Sequence, residues 1–302
     1  MSAVRRLVAR LLLLAGVVLL VPAGTVHPTT LSLTTVTTAK SVDAGDGVLW
    51  VLALGSEAGP GQDVMTGRTD AIQLIGVSWE TRRAVAIGLP RDLWVELPSG
   101  SARINEALAE GGPEGAAREV DDLLGITPDV VMVTAADGFL SMMGAVGDVR
   151  VDSPIGFTTE EGGVRVRRGT NTLDARQALA SATTREGLPA GDFDRAANHQ
   201  RLLLATLARL RAAEDEVGFM ERVALAALEG IDTDLSPSAA YRLVQALTTI
   251  DPARTDACII RGDFGVEFGA DVVHPDEEQA RAVGADARDD VRLQGGCRDG
   301  SG

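Results

Sequence analysis

The sequence predicts an α/β fold with helical layers on both faces of its sheet, and three observations lead there. Apolar runs of strand length recur, unbroken at 48–54 and mostly apolar at 71–79 and 84–89. Longer stretches with apolar residues three and four apart alternate with them, most clearly over 195–211 with Leu203, Leu204, Leu207 and Leu210. Glycine, proline and aspartate punctuate the junctions. A short continuous apolar run fits a strand buried on both faces, and a helical period fits a covering layer. The interleaving of the two therefore defines the class.

In chain order, the first strand ends in the glycine-rich turn 55–61, which lacks the Gly-Lys-Ser/Thr ending of a phosphate-binding P-loop. Gly67-Arg68-Thr69-Asp70 leads into the second strand, and Arg82 and Arg83 turn the chain back into the third. The third stops at Pro90-Arg91-Asp92, and 93–97 continues extended. Helical stretches open at 101–105 and at Gly111-Gly112-Pro113, where the proline suits a first helical turn. A strand over 130–134, a helix over 137–146 and a short strand over 149–151 follow. Residues 162–169 read as a surface hairpin carrying Arg165, Arg167 and Arg168, and 173–184 as a helix.

Residues 185–200 separate that helix from the long one. Gly187, Pro189 and Gly191 break the helical pattern, and Asp192 or Asp194 is the candidate cap of what comes next. Arg195 then falls in a first helical turn, where a cation opposes the macrodipole and calls for an anion nearby. Helical segments near 214–229 and 236–249, a strand over 257–260 and a helix over 275–283 complete the chain. The main domain spans 47–265 and an extension spans 266–302, with no internal repeat.

The 302-residue chain is 45% hydrophobic, enough for a sizeable core. Its net charge of −15 disfavours a broad nucleic-acid surface, and 3% aromatics disfavour base stacking on single strands. Near the N-terminus, Arg5, Arg6 and Arg10 precede a largely apolar run over 11–26. With the flanking 7–10 it approaches the roughly 20 residues of a membrane span, oriented with the remainder outside the cytoplasm. Residues 1–26 are thus an expected transmembrane anchor or, given Ala23 and Gly24, a cleaved signal peptide. The Thr/Ser/Gly/Pro-rich 27–46 reads as a flexible linker. Cys258 and Cys297 are free to form a disulfide or to remain buried thiols. The scattered His27, His199 and His274 do not suggest a histidine metal site.

Charged residues gather where strands and helices give way to loops. Glu57 follows the first strand, Arg68 and Asp70 precede the second, and Arg91 and Asp92 follow the third. Arg103 begins one helical stretch, Arg185 ends another, and Arg195 begins the long helix. Ligands of open α/β sheets bind at such loop ends. The planar fork of arginine matches phosphate oxygens, and carboxylates beside it suit a hard cation such as Mg²⁺ shared with phosphate.

In order, Gly67-Arg68-Thr69-Asp70, Leu89-Pro90-Arg91-Asp92, Arg103-Ile104-Asn105, Gly111-Gly112-Pro113, Leu173-Asp174 with Gln177-Ala178-Leu179-Ala180, and Arg185 through Gly191-Asp192-Phe193-Asp194-Arg195 form a specific set. Over roughly 48–262 the chain resembles the LytR-CpsA-Psr family of cell-envelope proteins, in an actinobacterial style. The resemblance implies an α/β/α sandwich with a central mixed β-sheet behind an N-terminal membrane helix. It implies a phosphotransferase that attaches an anionic cell-wall glycopolymer from a polyprenyl-pyrophosphate carrier to peptidoglycan, with pyrophosphatase activity as a related reaction. Carried over by position, Arg68, Arg91, Arg103, Arg185 and Arg195 face the pyrophosphate, and Glu57 and Asp70 hold Mg²⁺. Arg91 and Asp70 are the implied catalytic pair, with Asp92 orienting Arg91. The membrane, the lipid-linked polymer and peptidoglycan are the implied partners, nucleic acid is not, and the domain is implied to be extracytoplasmic.

The family pattern thins at four places. Glu57 stands where Asp is usual, Gly59 where Arg is frequent, Thr183 where a second Arg precedes Arg185, and Asn198-His199 where Arg-Gln follows Arg195. These departures carry an alternative expectation, a non-catalytic member that binds polyprenyl (pyro)phosphate lipid or an active paralogue.

Overall fold

The computed structural model describes residues 47–213, 215–233, 235, 237–295 and 297. The apolar run 11–26, expected as an anchor or signal peptide, lies outside the described residues, as does the whole linker 27–46. Among the described residues no helix is long and apolar enough to cross a membrane.

A five-stranded mixed sheet forms the centre. Strands β1 (Leu49–Ser56), β2 (Thr69–Ser78) and β3 (Arg83–Gly88) make an antiparallel meander. Two later strands extend it in parallel, β6 (Val130–Thr134) beside β1 and β11 (Thr255–Ile259) beside β3. The spatial order is therefore β11-β3-β2-β1-β6. Arg82, with φ +53°, makes the tight return from β2 to β3.

Both faces of β1 are buried, which explains why its sequence is apolar throughout rather than alternating. Trp50, Leu52 and Leu54 pack into the larger core with Leu108, Val120 and Leu124 of helix α1 (Ala107–Leu124). Ala280 and Val283 of the last helix join that core from the same face. Leu49 and Val51 point the other way, toward Leu235 and Leu243. On that second face Val77 and Ala84 meet Leu207 and Ile250. Leu52 is fully excluded from solvent, and burial of one such side chain contributes about 2 kcal/mol.

Helix α1 contains the expected break at Gly112. There φ +64° and ψ −166° interrupt the helix, so that Pro113 opens its second half. A left-handed Gly125 ends it. Helices α2 (Ala136–Val146), α3 (Ala175–Thr183), α4 (Asp192–Ala212) and α5 (Phe219–Gly230) stand around a separate core with β7 (Val149–Ser153). Met143, Val151, Ala178, Leu202 and Phe219 fill it. Helix α6 (Pro237–Thr248) precedes β11, and α7 (Glu277–Ala287) closes the chain.

Several elements differ from expectation. Residues expected to begin a helix at 101 form β5 (Gly100–Arg103), because they pair with β4 (Trp94–Leu97) in a two-stranded ribbon. The polar β10 (Gly169–Leu173) pairs with β7, so the helix expected from 173 starts at Ala175 behind an Asp174 capping box. A hairpin of β12 (Gly262–Glu267) and β13 (Ala270–Pro275) spans the boundary expected at 265, and the last helix begins at Glu277 rather than 275. The long helix is N-capped by Gly191 without a side-chain cap, and both Asp192 and Asp194 lie inside its first turn. Cys258 and Cys297 are joined in a disulfide that ties the tail to β11.

Candidate active site

The antiparallel meander brings the end of β1, the start of β2 and the end of β3 to one end of the sheet, where the charged loops meet. Arg91 and Asp92 sit in the turn after β3, and the backbone fixes that turn from two sides. The Asn105 N–H donates to the Arg91 carbonyl at 3.2 Å, and the Val273 N–H donates to the Asp92 carbonyl at 2.8 Å. Asp70 stands at the start of β2, its carboxylate shared by two arginines. Arg91 Nη1 makes a short contact to Asp70 Oδ1, and Arg185 Nη2 reaches the same oxygen at 3.2 Å.

Asp92 continues the chain of charges. Its Oδ1 lies 3.7 Å from Arg91 Nε and 3.5 Å from Arg103 Nε. Arg103, at the end of β5, is anchored by donating from Nε and Nη2 to the Asp271 carbonyl of β13 at 3.0 and 2.6 Å. The hairpin that the sequence did not reveal thus orients one of the site arginines. Arg185, Asp70, Arg91, Asp92 and Arg103 form one continuous alternation of charge.

Arg195 lies beneath this chain. Its side chain is only 5% exposed and pairs with Asp192 one helical turn earlier. The anion that a cation at a helix start demands is therefore supplied by the helix itself, with Asp192 on the favourable side of the macrodipole. Burial first, and then the neighbouring Arg91, lower the Arg195 pKa to about 10, while Asp70 and Asp92 oppose the shift. The group still carries its charge at neutral pH. The Asp92 N–H points at Asp192 Oδ2 at 3.4 Å, linking the buried pair to the turn above.

Arg68 and Glu57 form a pair of their own. Arg68 Nε donates to Glu57 Oε1 at 2.6 Å, and the Glu57 N–H donates to the Arg68 carbonyl at 2.9 Å. The Glu57 contact is the main cause that raises the Arg68 pKa; Asp70 adds a smaller electrostatic pull. Among the described residues no direct hydrogen bond joins this pair to the Asp70 group. The structure therefore brings five predicted residues into one connected cluster (Asp70, Arg91, Asp92, Arg103 and Arg185), sets Arg195 below it and leaves Glu57–Arg68 beside it.

Two further residues define the site from underneath. Gln200 is buried on α4 and donates to the Ala86 and Cys258 carbonyls at 2.9 and 2.6 Å, pinning the helix to β3 and β11. Glu160 accepts from the Arg185 N–H at 2.7 Å, which orders the loop bearing that arginine. A glutamine on the apolar side of an amphipathic helix and an aspartate three residues before Arg195 were the signals for Gln200 and Asp192. No local pattern marked Glu160, which is 25 residues from its partner.

The departures take definite positions. His199 is half-buried beside Arg195 with Nε2 against the Ala182 carbonyl at 2.8 Å, and desolvation is the main cause that lowers its pKa to about 4. It is neutral at physiological pH. Asn198 is buried, and among the described residues its Nδ2 has no hydrogen-bond partner. Thr183 spends its hydroxyl on the Leu179 carbonyl of its own helix.

A five-stranded mixed sheet covered by helices, with arginines and carboxylates gathered where its central strands end, defines the class as an α/β protein. The chain belongs to the LytR_cpsA_psr family, which it matches over residues 25–289. It is 25% identical over 205 residues to the polyisoprenyl-teichoic acid–peptidoglycan teichoic acid transferase TagV of Bacillus subtilis, covering 65% of this chain and 52% of TagV. It is 29% identical over 162 residues to the regulatory protein MsrR of Staphylococcus aureus, covering 52% of this chain and 48% of MsrR. The chain thus spans about half the length of these relatives. The crystal structure of B. subtilis TagV has the same fold, with TM-score 0.68 at 23% identity over 80% of this chain and 97% of that one. TagT bound to LI-WTA also matches at TM-score 0.68, with 21% identity over 85% of this chain and 97% of that one.

Proposed function

We propose that this protein is a glycopolymer transferase that takes an anionic cell-wall polymer from a polyprenyl-pyrophosphate carrier and attaches it to peptidoglycan. The observation that carries this reading is the connected alternation Arg185–Asp70–Arg91–Asp92–Arg103 at one end of the sheet. Family membership and the printed activity of TagV support the substrate class.

The geometry divides the arginines by role. Arg68 and Arg185 have side chains half exposed and meet the pyrophosphate first. Arg91, 12% exposed, lies deeper. Among the described residues its buried Nε makes no hydrogen bond and lies 3.7 Å from Asp92 Oδ1, so its charge is held within the cluster. Arg195 supplies charge from below and holds Asp192, rather than touching the ligand. Arginines fixed before the reaction stabilise the charge that builds on phosphoryl oxygens when a hydroxyl attacks phosphorus.

Asp70 and Glu57 are the carboxylates that would hold Mg²⁺. Among the described residues no group of three or more His, Cys, Asp or Glu gathers to cage a metal. A cation that keeps its waters and shares substrate phosphates needs only one or two carboxylates, so this donor set fits. When bound, the ion would neutralise charge on the phosphoryl oxygens. Asp70 would then release Arg91 and Arg185 from its own carboxylate to the phosphate. The disulfide Cys258–Cys297 supports an extracytoplasmic domain, because such bonds persist in oxidising compartments.

A second reading, a family member that holds the lipid without turning it over, is favoured by neutral His199 and Asn198 where the family pattern places further charge. The test is transfer by the full chain, in detergent with Mg²⁺, of a lipid-pyrophosphate-linked glycan to peptidoglycan, following release of lipid phosphate. Transfer is expected. Arg91→Ala should lower it by about 10²–10³-fold, the scale set by loss of one preorganised donor. Tight lipid binding with no transfer would replace the first reading by the second.

A further inference from the structure

The three arginines at 165, 167 and 168 remain outside the site described so far. They lie on a small hairpin of β8 (Phe157–Thr158) and β9 (Arg165–Val166). All three are exposed, and among the described residues none pairs with a carboxylate. In a chain of net charge −15 this is an uncompensated positive face. The arginines line a cleft of about 380 Å³ with Gly156, Phe157 and Thr158, a size within the range of ligand sites.

The loop is held in shape. Asn171 Oδ1 accepts from the Arg167 N–H at 2.9 Å, and its Nδ2 donates to the Arg167 and Gly169 carbonyls at 2.7 and 2.8 Å. The hairpin is also fastened to the loop that carries Arg185, in two independent ways. Phe157 and Val166 bury against Leu188, and Glu160 accepts from the Arg185 N–H. The Glu160 carboxylate of this hairpin is thereby turned toward the active-site loop.

We propose that this cleft is a second anion subsite, which holds a phosphodiester of the glycopolymer some units away from the pyrophosphate being cleaved. The inference rests on the transferase reading and narrows its substrate to polymers with charged repeats. Arginine forks clamp phosphate oxygens, and a rigid link to the Arg185 loop keeps the two subsites in fixed relation along one chain.

The test uses the full chain in detergent and three probes: a lipid-free oligo(glycerol phosphate), a neutral dextran oligomer, and geranylgeranyl pyrophosphate. The wild type is expected to bind oligo(glycerol phosphate) in preference to dextran, with affinity that falls as salt rises. The combined Arg165→Gln, Arg167→Gln and Arg168→Gln variant should bind it at least about tenfold more weakly, the sum of three exposed charge contacts. Its affinity for geranylgeranyl pyrophosphate should not change, which also verifies the fold. The corresponding triple lysine variant should retain part of the oligomer affinity. Unchanged oligomer affinity in the glutamine variant would overturn the proposal. So would recruitment to phosphatidylglycerol vesicles that depends on these arginines without any oligomer binding, since the face would then serve a membrane. Oligomer binding without geranylgeranyl pyrophosphate binding would instead remove the transferase reading and leave an anion site.

Discussion

Asp70 sits at the start of β2, Arg91 and Asp92 follow β3 on backbone pinned by Asn105 and Val273, and all three side chains are mostly covered. Across the site, Arg185 extends half exposed from the loop between α3 and α4, its place set by Glu160 and by one carboxylate oxygen of Asp70. The same residue type thus stands on a rigid strand end on one side and on a tethered loop on the other. The strand side can hold charge where it will be needed, at the expense of desolvating it. The loop side keeps its charge in water and can change partner at little cost. A site that must bind a pyrophosphate and let it go has use for both.

Removing the buried charge below the strand side should have the largest structural effect. Arg195→Ala leaves Asp192 buried and unpaired, and should cost about 3 kcal/mol in urea unfolding. The double variant with Asp192→Asn should recover most of that loss if the pair is self-compensating. Gln200→Ala unpins α4 from β3 and β11, and a loss of about 1–3 kcal/mol is expected in the same assay. On the loop side, Arg185→Ala should leave stability within about 0.5 kcal/mol. It should still reduce transfer by about tenfold, which steady-state kinetics would detect. If it instead destabilised as much as Arg195→Ala, the contrast between the two sides would collapse.

The last test concerns pH, and its effect is absent at neutrality. His199 titrates near 6.5 when unfolded and near 4 when folded, so the unfolded chain takes up the proton first as pH drops. Its contribution is fully present above pH 6.5 and is lost as pH falls toward 4, at no more than about 1.4 kcal/mol per pH unit. Unfolding midpoints measured across that window should show the slope, and His199→Gln should flatten it.

The central sheet was legible because β1, β2 and β3 bury both faces, and mostly apolar runs of that length fit such a place. The break at Gly112 was legible for a local reason, a glycine that tolerates φ +64° next to a proline that suits a first turn. The strands β5 and β10 were not, since Gly-Ser-Ala-Arg and Gly-Thr-Asn-Thr-Leu have no apolar alternation and become strands only because β4 and β7 offer partners. The arginines of the site were visible as loop-end charges. Their connections were not, because Arg185 meets Asp70 across 115 residues and Arg103 meets the Asp271 carbonyl across 168. Sequence patterns report periodicity within a segment, and these contacts are made by the packing of segments.

The bond between Cys258 and Cys297 has a consequence for the covalent connectivity of the molecule. It encloses the hairpin β12–β13 and helix α7 in a closed ring of the chain, its two anchors lying 39 positions apart. In the chain-entropy account such a closure stabilises by about 4 kcal/mol. The hairpin turn at Phe268 and Gly269, the former 94% exposed, is the natural target for a protease. A cut there would sever the backbone without dividing the molecule, so the nicked protein would run as a single band until a reductant was added, and only then as two.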